Sequence, residues 1–473
     1  MFVNPVALLL LSALLTSTGL SASSSEAFSR TPREVLAWAA EAPEAPKAAL
    51  EILLDAIEVV VEANGHERWR TVLVYRVLDL EALPESFKEV RADWGWTSSR
   101  PEVQARIIRA DGSVHWLDPA LLVEVAAEEL ANVYSDRRTL RAPLPALAPG
   151  AVVEVEVRQQ MTPWAKSGTN HRFALQNHWP TRALRVRVTA PMALLFHVTQ
   201  TGASWPSALR DEGKRRVLEL EARDVPALEE DEPGSPEDFP AVPLLWVSTA
   251  PDWQHAAAEY AGIVDQVLEG THLETLARQV VGETRDAREA ANRILTWMGP
   301  LRYASVNLGE TSIVPRRPEE VLRRQFGDCK DLATLVVGLL RAAGFEAWTA
   351  LLLTESIDNI DGAPGLRLFN HAIVRVGGSS PFWLDATAFD SLPAGVLPAG
   401  DEGRRVLVAA KTTERLERLP VASPEANRKR LQGRVEFSDI GKGRVSERHD
   451  REGTLAGLLR PLGSKGIADA RER

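Results

Sequence analysis

The chain has one cysteine in 473 residues, Cys329, which leaves that thiol without an internal partner. Basic residues are in deficit, with 55 Lys and Arg against 65 Asp and Glu, a formal charge of −10 and a pI near 5.6. No global positive field exists to hold a phosphate backbone, so nucleic acid is not expected as a partner. Neither G-x-x-x-x-G-K nor G-x-G-x-x-G stands between a strand and a helix, so nucleotide use has no support in the sequence. His171 and His178 miss the common zinc spacings, and Asp358, Asn359 and Asp361 lack the Gly and Glu of a calcium loop. No metal or cofactor is expected. What is there is ordinary globular material, 45% apolar and 25% charged with 31 Gly and 30 Pro, which excludes a disordered, collagenous or polytopic membrane protein. At roughly 100–200 residues per domain the length implies two to four domains.

Val6–Leu20 is an uncharged apolar stretch followed by the small residues Ser21-Ala22-Ser23-Ser24-Ser25. This pattern reads as a cleaved secretory signal over residues 1–23, placing the protein in the periplasm or another extracytoplasmic space with no membrane span in the mature chain. No cysteine follows the stretch, which disfavours a lipid anchor. In an oxidising compartment an unpaired cysteine is a liability unless it is buried or has work to do.

From about Leu50 the apolar residues alternate at period two. Glu58–Glu62, Asn64-Gly65 and Trp69–Val77 read as one hairpin, and Ala105–Ala110, Asp111-Gly112 and Val114–Leu117 as a second. With Ala151–Arg158 and Leu184–Val188 these predict a β-sandwich over 50–223, interrupted by nothing longer than a helical stretch at Leu121–Asn132. The acidic, Pro-rich run from Asp224 to Pro243 predicts a linker over 224–250. Beyond it the period changes to that of helices at Trp253–Leu268, Thr271–Met298 and Pro318–Phe326, then to an amphipathic helix from Cys329 and strands at Glu346–Thr354, His371–Val376 and Phe382–Ala386. This α+β domain is expected over 251–410, and residues 411–473 read as a partial β region. The expected fold is therefore α+β and multidomain.

Gly327-Asp328-Cys329-Lys330-Asp331 puts the thiol on the first turn of a helix, where unpaired N–H groups and the helix dipole favour the thiolate, the nucleophilic form. Lys330 and Asp331 read as solvated first-turn residues. His371 supplies a base, and Gly377-Gly378-Ser379-Ser380 lies between its strand and Asp385. A turn centred on Gly378 makes His371 and Asp385 a directly facing pair with Cβ atoms roughly 5 Å apart, close enough for the carboxylate to orient the imidazole. The backbone N–H of Cys329 is the candidate oxyanion stabiliser, with Tyr303 or Trp297 as a candidate second donor, although core packing is the plainer role for both aromatics. Taken singly, a buried cysteine and a satisfied core His–Asp pair are the plainer readings.

In this order the motifs G-D-C-K-D at 327–331, F-N-H-A at 369–372 and W-L-D-A-T at 383–387, with P-R-R-P at 315–318 and A-A-G at 342–344, resemble the transglutaminase-like branch of the papain-type thiol enzymes. Ala110-Asp111-Gly112-Ser113 and the run Leu144–Gly150 resemble the β-rich domain of unknown function that precedes such domains in exported bacterial proteins. The resemblance spans roughly residues 50–420. It implies a papain-like fold with Cys329 as nucleophile, His371 as general base and acid, and Asp385 as the residue orienting the imidazole. The expected activity is on peptide or amide bonds of a peptide or protein substrate through a thioester, with hydrolysis favoured over transfer to an amine. Glu355, Asp358 and Asp361, on a loop expected to be solvated, keep transfer to a cationic amine open. The alternative is a non-catalytic binding or scaffolding module of the cell envelope.

Overall fold

The computed structural model describes residues 27–41, 48–127, 133–228, 242–355, 357–437 and 443–457; the expected signal segment lies outside them. No helix among the described residues is long and apolar enough to cross a membrane. The fold is α+β and multidomain, a β-rich N-terminal part followed by mixed helix and sheet.

The alternating segments assemble into an eight-stranded sheet in the spatial order Ser207–Glu212, Arg215–Val225, Thr181–Pro191, Leu50–Val61, Glu67–Val77, Val152–Met161, Glu102–Ile108 and Val114–Trp116. Neighbours are antiparallel except the parallel pair Leu50–Val61 and Thr181–Pro191. Both predicted hairpins form, with Val61 opposite Glu67 and Ile108 opposite Val114. One face of the large sheet is covered by two three-stranded sheets. Val186, Val188, Leu218 and Leu220 pack with Phe173, Leu245 and Val247 of one, and Ile52, Tyr75, Ile107 and Val153 pack with Val90 and Ala142 of the other. On the opposite face helix α1 (Pro32–Ala40), started by a Thr31–Glu34 capping box, lays Val35 and Ala39 against Leu54, Val72 and Val74. Each fully buried Val, Leu or Ile side chain among these stabilises the fold by about 1.5–3 kcal/mol.

Two sequence expectations fail here. The stretch expected to be helical at Leu121–Asn132 holds a strand, Val123–Ala126, paired with Arg138–Pro143; its alternating valines fit a sheet edge better than a helix turn. Residues 128–132 lie outside the described residues. The expected linker over 224–250 ends in a strand, Leu244–Ser248, the central member of the sheet Asn170–Ala174, Leu244–Ser248, His197–Thr201. Leu245 and Val247 face the sandwich core while Leu244 and Trp246 face Ala363 of the next domain, so the run is apolar throughout rather than alternating.

The second domain comprises α2 (Trp253–Leu268), α3 (Glu274–Val281), α4 (Ala287–Trp297), α5 (Pro318–Arg324) and α6 (Cys329–Ala342). Its antiparallel sheet runs in the order Phe382–Leu384, His371–Val376, Ala347–Leu352, Arg405–Val408, Glu417–Arg418. The single helix expected at Thr271–Met298 is broken by Gly282 at φ 67°, and α4 restarts at Asp286, whose carboxylate accepts the N–H groups of Arg288 and Glu289. Helix α6 is the hub: Leu332, Leu335, Val336, Leu339 and Leu340 are fully buried between the strands at Ala347–Leu352 and His371–Val376 and the other helices. The C-terminal region expected to be β shows one exposed hairpin, Lys429–Phe437 with Gly443–Arg451.

The domains are joined along two edges. On one, Ser305–Asn307 pairs in parallel with Val133–Ser135 and the Gly309 N–H donates to Asp136 at 2.7 Å. On the other, Asn170 donates to the Ala363 carbonyl and accepts from the Arg367 N–H, and the Ser248 hydroxyl donates to the Pro364 carbonyl. Between these edges the N–H groups of Lys166 and Ser167 donate to Glu259 of α2 at 2.6 and 2.7 Å.

Candidate active site

Cys329 is the first residue of α6 and is partly exposed. Asp328 caps the helix by accepting the Asp331 N–H, and Asp331 closes the capping box by accepting the Asp328 N–H. Gly327 is required by space, since a Cβ there would lie 2.9 Å from the Asp331 Cβ. The expectation that Lys330 and Asp331 are solvated fails. Lys330 is buried with its ammonium on the Asp328 carboxylate, and Asp331 is fully buried against Arg316. These charges serve the geometry of the turn, and the amide of Cys329 remains among the first-turn N–H groups that have no partner within the helix.

His371 opens its strand, and its Nε2–H donates to Asp385 Oδ2 at 3.0 Å. The pair is not directly opposed. The hairpin pairs Val374 with Leu384 and Val376 with Phe382, centring the turn on Ser379 instead of Gly378. This displaces the register by two residues, which keeps both side chains on one face, so the contact survives as a diagonal one. Asp385 lies just past its strand and is fixed from the other side by the Thr387 N–H and hydroxyl at 2.7 and 2.8 Å. Burial of the imidazole works against its charge, but hydrogen bonds to Asp385 and Cys329, with the charges of both, outweigh it and hold the ring protonated up to about 11. With Nε2 on Asp385, Nδ1 is left for the thiol.

Cys329 and His371 line one cavity of about 120 Å³ together with Tyr303, Ser305, Phe369 and Trp164. Tyr303 reaches it because Arg302–Tyr303 pairs in parallel with Phe326–Gly327, setting Tyr303 beside Gly327, two residues before the thiol. Burial, then the charges of Cys329 and Asp328, push its phenol up, so it stands in the cavity as an O–H donor. Trp297 is not there; it lines a separate surface depression with Asp286 and Arg293.

One residue escaped the sequence reading. Asp401 is buried, with Oδ2 unpartnered, and its donor atom lies within 4.8 Å of those of His371 and Asp385. Burial and the neighbouring Asp385 push its carboxyl up to about 7. It follows Pro398-Ala399-Gly400 in a loop without periodicity, and no spacing rule ties it to the other three. The loop Glu355–Leu368, expected to be solvated, is so only in part: Glu355, Asp361 and Gly362 are exposed, while Ala363 is buried against Leu244 and Trp246, Leu366 is buried in the core of the second domain, and the Trp253 indole of α2 donates to the Asp361 carbonyl at 2.8 Å. Its acidic groups are engaged, Glu355 by Arg172 and both Asp358 and Asp361 by Arg405.

Residues 274–377 match the model of the transglutaminase-like superfamily, and residues 63–229 match a domain of unknown function, DUF3857. The solved structure of a candidate protease from Parabacteroides distasonis superposes with a TM-score of 0.64 at 15% identity, covering 88% of this chain and 96% of that one, which shows a shared fold. A candidate cysteine protease from Cytophaga hutchinsonii aligns over 61% of this chain and 86% of its own at 14% identity, with a TM-score of 0.22 that carries no argument. Comparison with curated proteins returns no match.

Proposed function

We propose that this chain, which carries a transglutaminase-like domain behind a DUF3857 domain, is an exported thiol hydrolase of peptide or amide bonds with Cys329, His371 and Asp385 as its catalytic residues. The observation that carries the reading is the single cavity in which a partly exposed thiol at a helix N-terminus meets an imidazolium backed by a fixed carboxylate. The Cys329 thiolate attacks the carbonyl carbon, and the negative oxygen of the tetrahedral adduct is met by the Cys329 N–H and the Tyr303 hydroxyl. His371 gives its proton to the leaving amine as the C–N bond breaks, leaving a thioester on Cys329. Water then adds to the thioester, His371 takes its proton, and the acid departs as the thiolate re-forms.

Hydrolysis is favoured over transfer because water is the abundant acceptor and the carboxylates that would draw a cationic amine, those of Glu355, Asp358 and Asp361, each already have an arginine beside them, Arg172 or Arg405. Export rests on the apolar segment Val6–Leu20 and the small residues after it. The deciding experiment incubates the protein with mixed peptides and a labelled primary amine. New N-termini that disappear in Cys329→Ala support the reading; amine incorporation without new N-termini overturns hydrolysis, and neither product overturns the enzyme.

A further inference from the structure

The site cavity does not stop at the thiol. A second cavity of about 190 Å³ adjoins it, and the two share Trp164 and Ile313 as a common wall. Ile313 belongs to the transglutaminase-like domain, but Trp164, Trp96, Met161 and Pro163 belong to the β domain, so the second cavity lies between domains. Its walls are held in place: Lys166 and Ser167, just after Trp164, are bonded to Glu259 of α2, and Gly168 runs so close to Ala250 that a Cβ would stand 2.6 Å from its backbone nitrogen.

The chemistry of the lining is specific. The two charged residues on it, Glu67 and Arg367, are turned to each other at 3.7 Å, and Glu67 also accepts from His171 at 2.9 Å and from the Trp69 indole at 2.7 Å. The two charges face each other within the wall, so a charged occupant would have to compete for its counter-ion. What remains is mostly apolar, two indoles, a thioether, a proline ring and Ile313, with the uncharged Thr97, Thr162 and Thr169 among them and Trp96 39% exposed. Indole and thioether surfaces favour an aromatic ring, through stacking and sulfur contact as well as burial.

We infer that the β domain forms one wall of the substrate cleft and that the cavity between Trp96, Trp164 and Ile313 takes a neutral aromatic side chain of a peptide next to the bond presented to Cys329. The inference rests on the peptide-hydrolase reading for its substrate class. It gives the β domain a role in recognition.

The test is made on the full chain carrying Cys329→Ala, so that no turnover is needed. Dye-labelled, end-blocked peptides Gly-Gly-X-Gly-Gly with X as Trp, Phe, Ala, Lys or Asp are titrated by fluorescence anisotropy. The expected result is Trp and Phe binding at least tenfold tighter than Ala, Lys or Asp, with that preference lost on adding Trp164→Ala and reduced on adding Trp96→Ala. Trp96 is exposed enough that its loss leaves folding intact, and a thermal melt checks both variants. Equal binding of all five peptides, preference for Lys or Asp, or an aromatic preference that survives both substitutions overturns the inference. Failure of the Cys329 protein to cleave peptides would overturn the hydrolase reading and leave this binding result standing.

Discussion

The fully buried carboxylate of Asp331 holds Arg316 twice, accepting its backbone N–H at 2.8 Å and its guanidinium at 2.9 Å. The same carboxylate closes the capping box of the helix that begins at Cys329 by accepting the Asp328 N–H, so the segment entering α5 and the turn bearing the thiol are fixed by one group.

Removing the guanidinium leaves Asp331 charged, buried and short of a partner. Arg316→Leu is expected to cost about 3–5 kcal/mol of unfolding free energy. Arg316→Leu with Asp331→Asn should cost clearly less, because the stranded charge is gone. Guanidinium unfolding curves of both variants check this; equal losses would show that packing, and not the charge, sets the cost.

Cys329→Ala should abolish peptide cleavage while leaving the melting temperature close to that of the parent. Asp385→Ala should lower kcat by up to about 10⁴ and leave measurable turnover, since thiol and imidazole can still pair. Steady-state kinetics on a fluorogenic peptide read both, and full activity in Asp385→Ala would remove that residue from the mechanism.

The His371 imidazole is held protonated up to about 11 in the fold, against an ordinary value of about 6.5. A raised folded value adds stability that is complete below about pH 6.5, declines above it and is gone once the pH passes about 11. The stability gap between parent and His371→Ala, measured by chemical denaturation, should therefore narrow steadily from pH 7 to pH 11. A gap that widens across this range would contradict the ion pair.

Asp401 is raised to about 7 from an unfolded value near 3.9, so its contribution is complete below the lower value and lost as the pH rises through the upper one. Asp401→Asn removes that loss. The variant should be more stable than the parent at pH 8 and should lose this advantage at pH 4. Unfolding curves at the two pH values decide it.

The thiol helix was legible because three local signals agree at one place: Gly327 before the cap, Asp328 and Asp331 spaced as a capping box, and leucines at helical intervals after Cys329. The His371–Asp385 contact was legible for its face but not its register. Pro381 has no N–H to give a ladder, which lengthens the turn, and parity alone rescued the pairing. The strand Leu244–Ser248 was hidden because burial on both faces erases alternation and an acidic, Pro-rich run precedes it. Asp401 and the Trp96–Trp164 wall come from loops, where proximity is set by the tertiary fold and no periodicity announces it.

The parallel pairing of Ser305–Asn307 with Val133–Ser135 also ties the β domain to the segment just after Tyr303. Backbone bonds join the domains at this pairing, and Asn170 and Ser248 join them again at Ala363 and Pro364, contacts that a swinging apart of the two domains would have to break. If the site acts on peptides as proposed, a segment reaching Cys329 past Trp164 and Ile313 is expected to arrive in extended form. Loose tails and unstructured connectors meet that demand, and the surface of a compact protein does not.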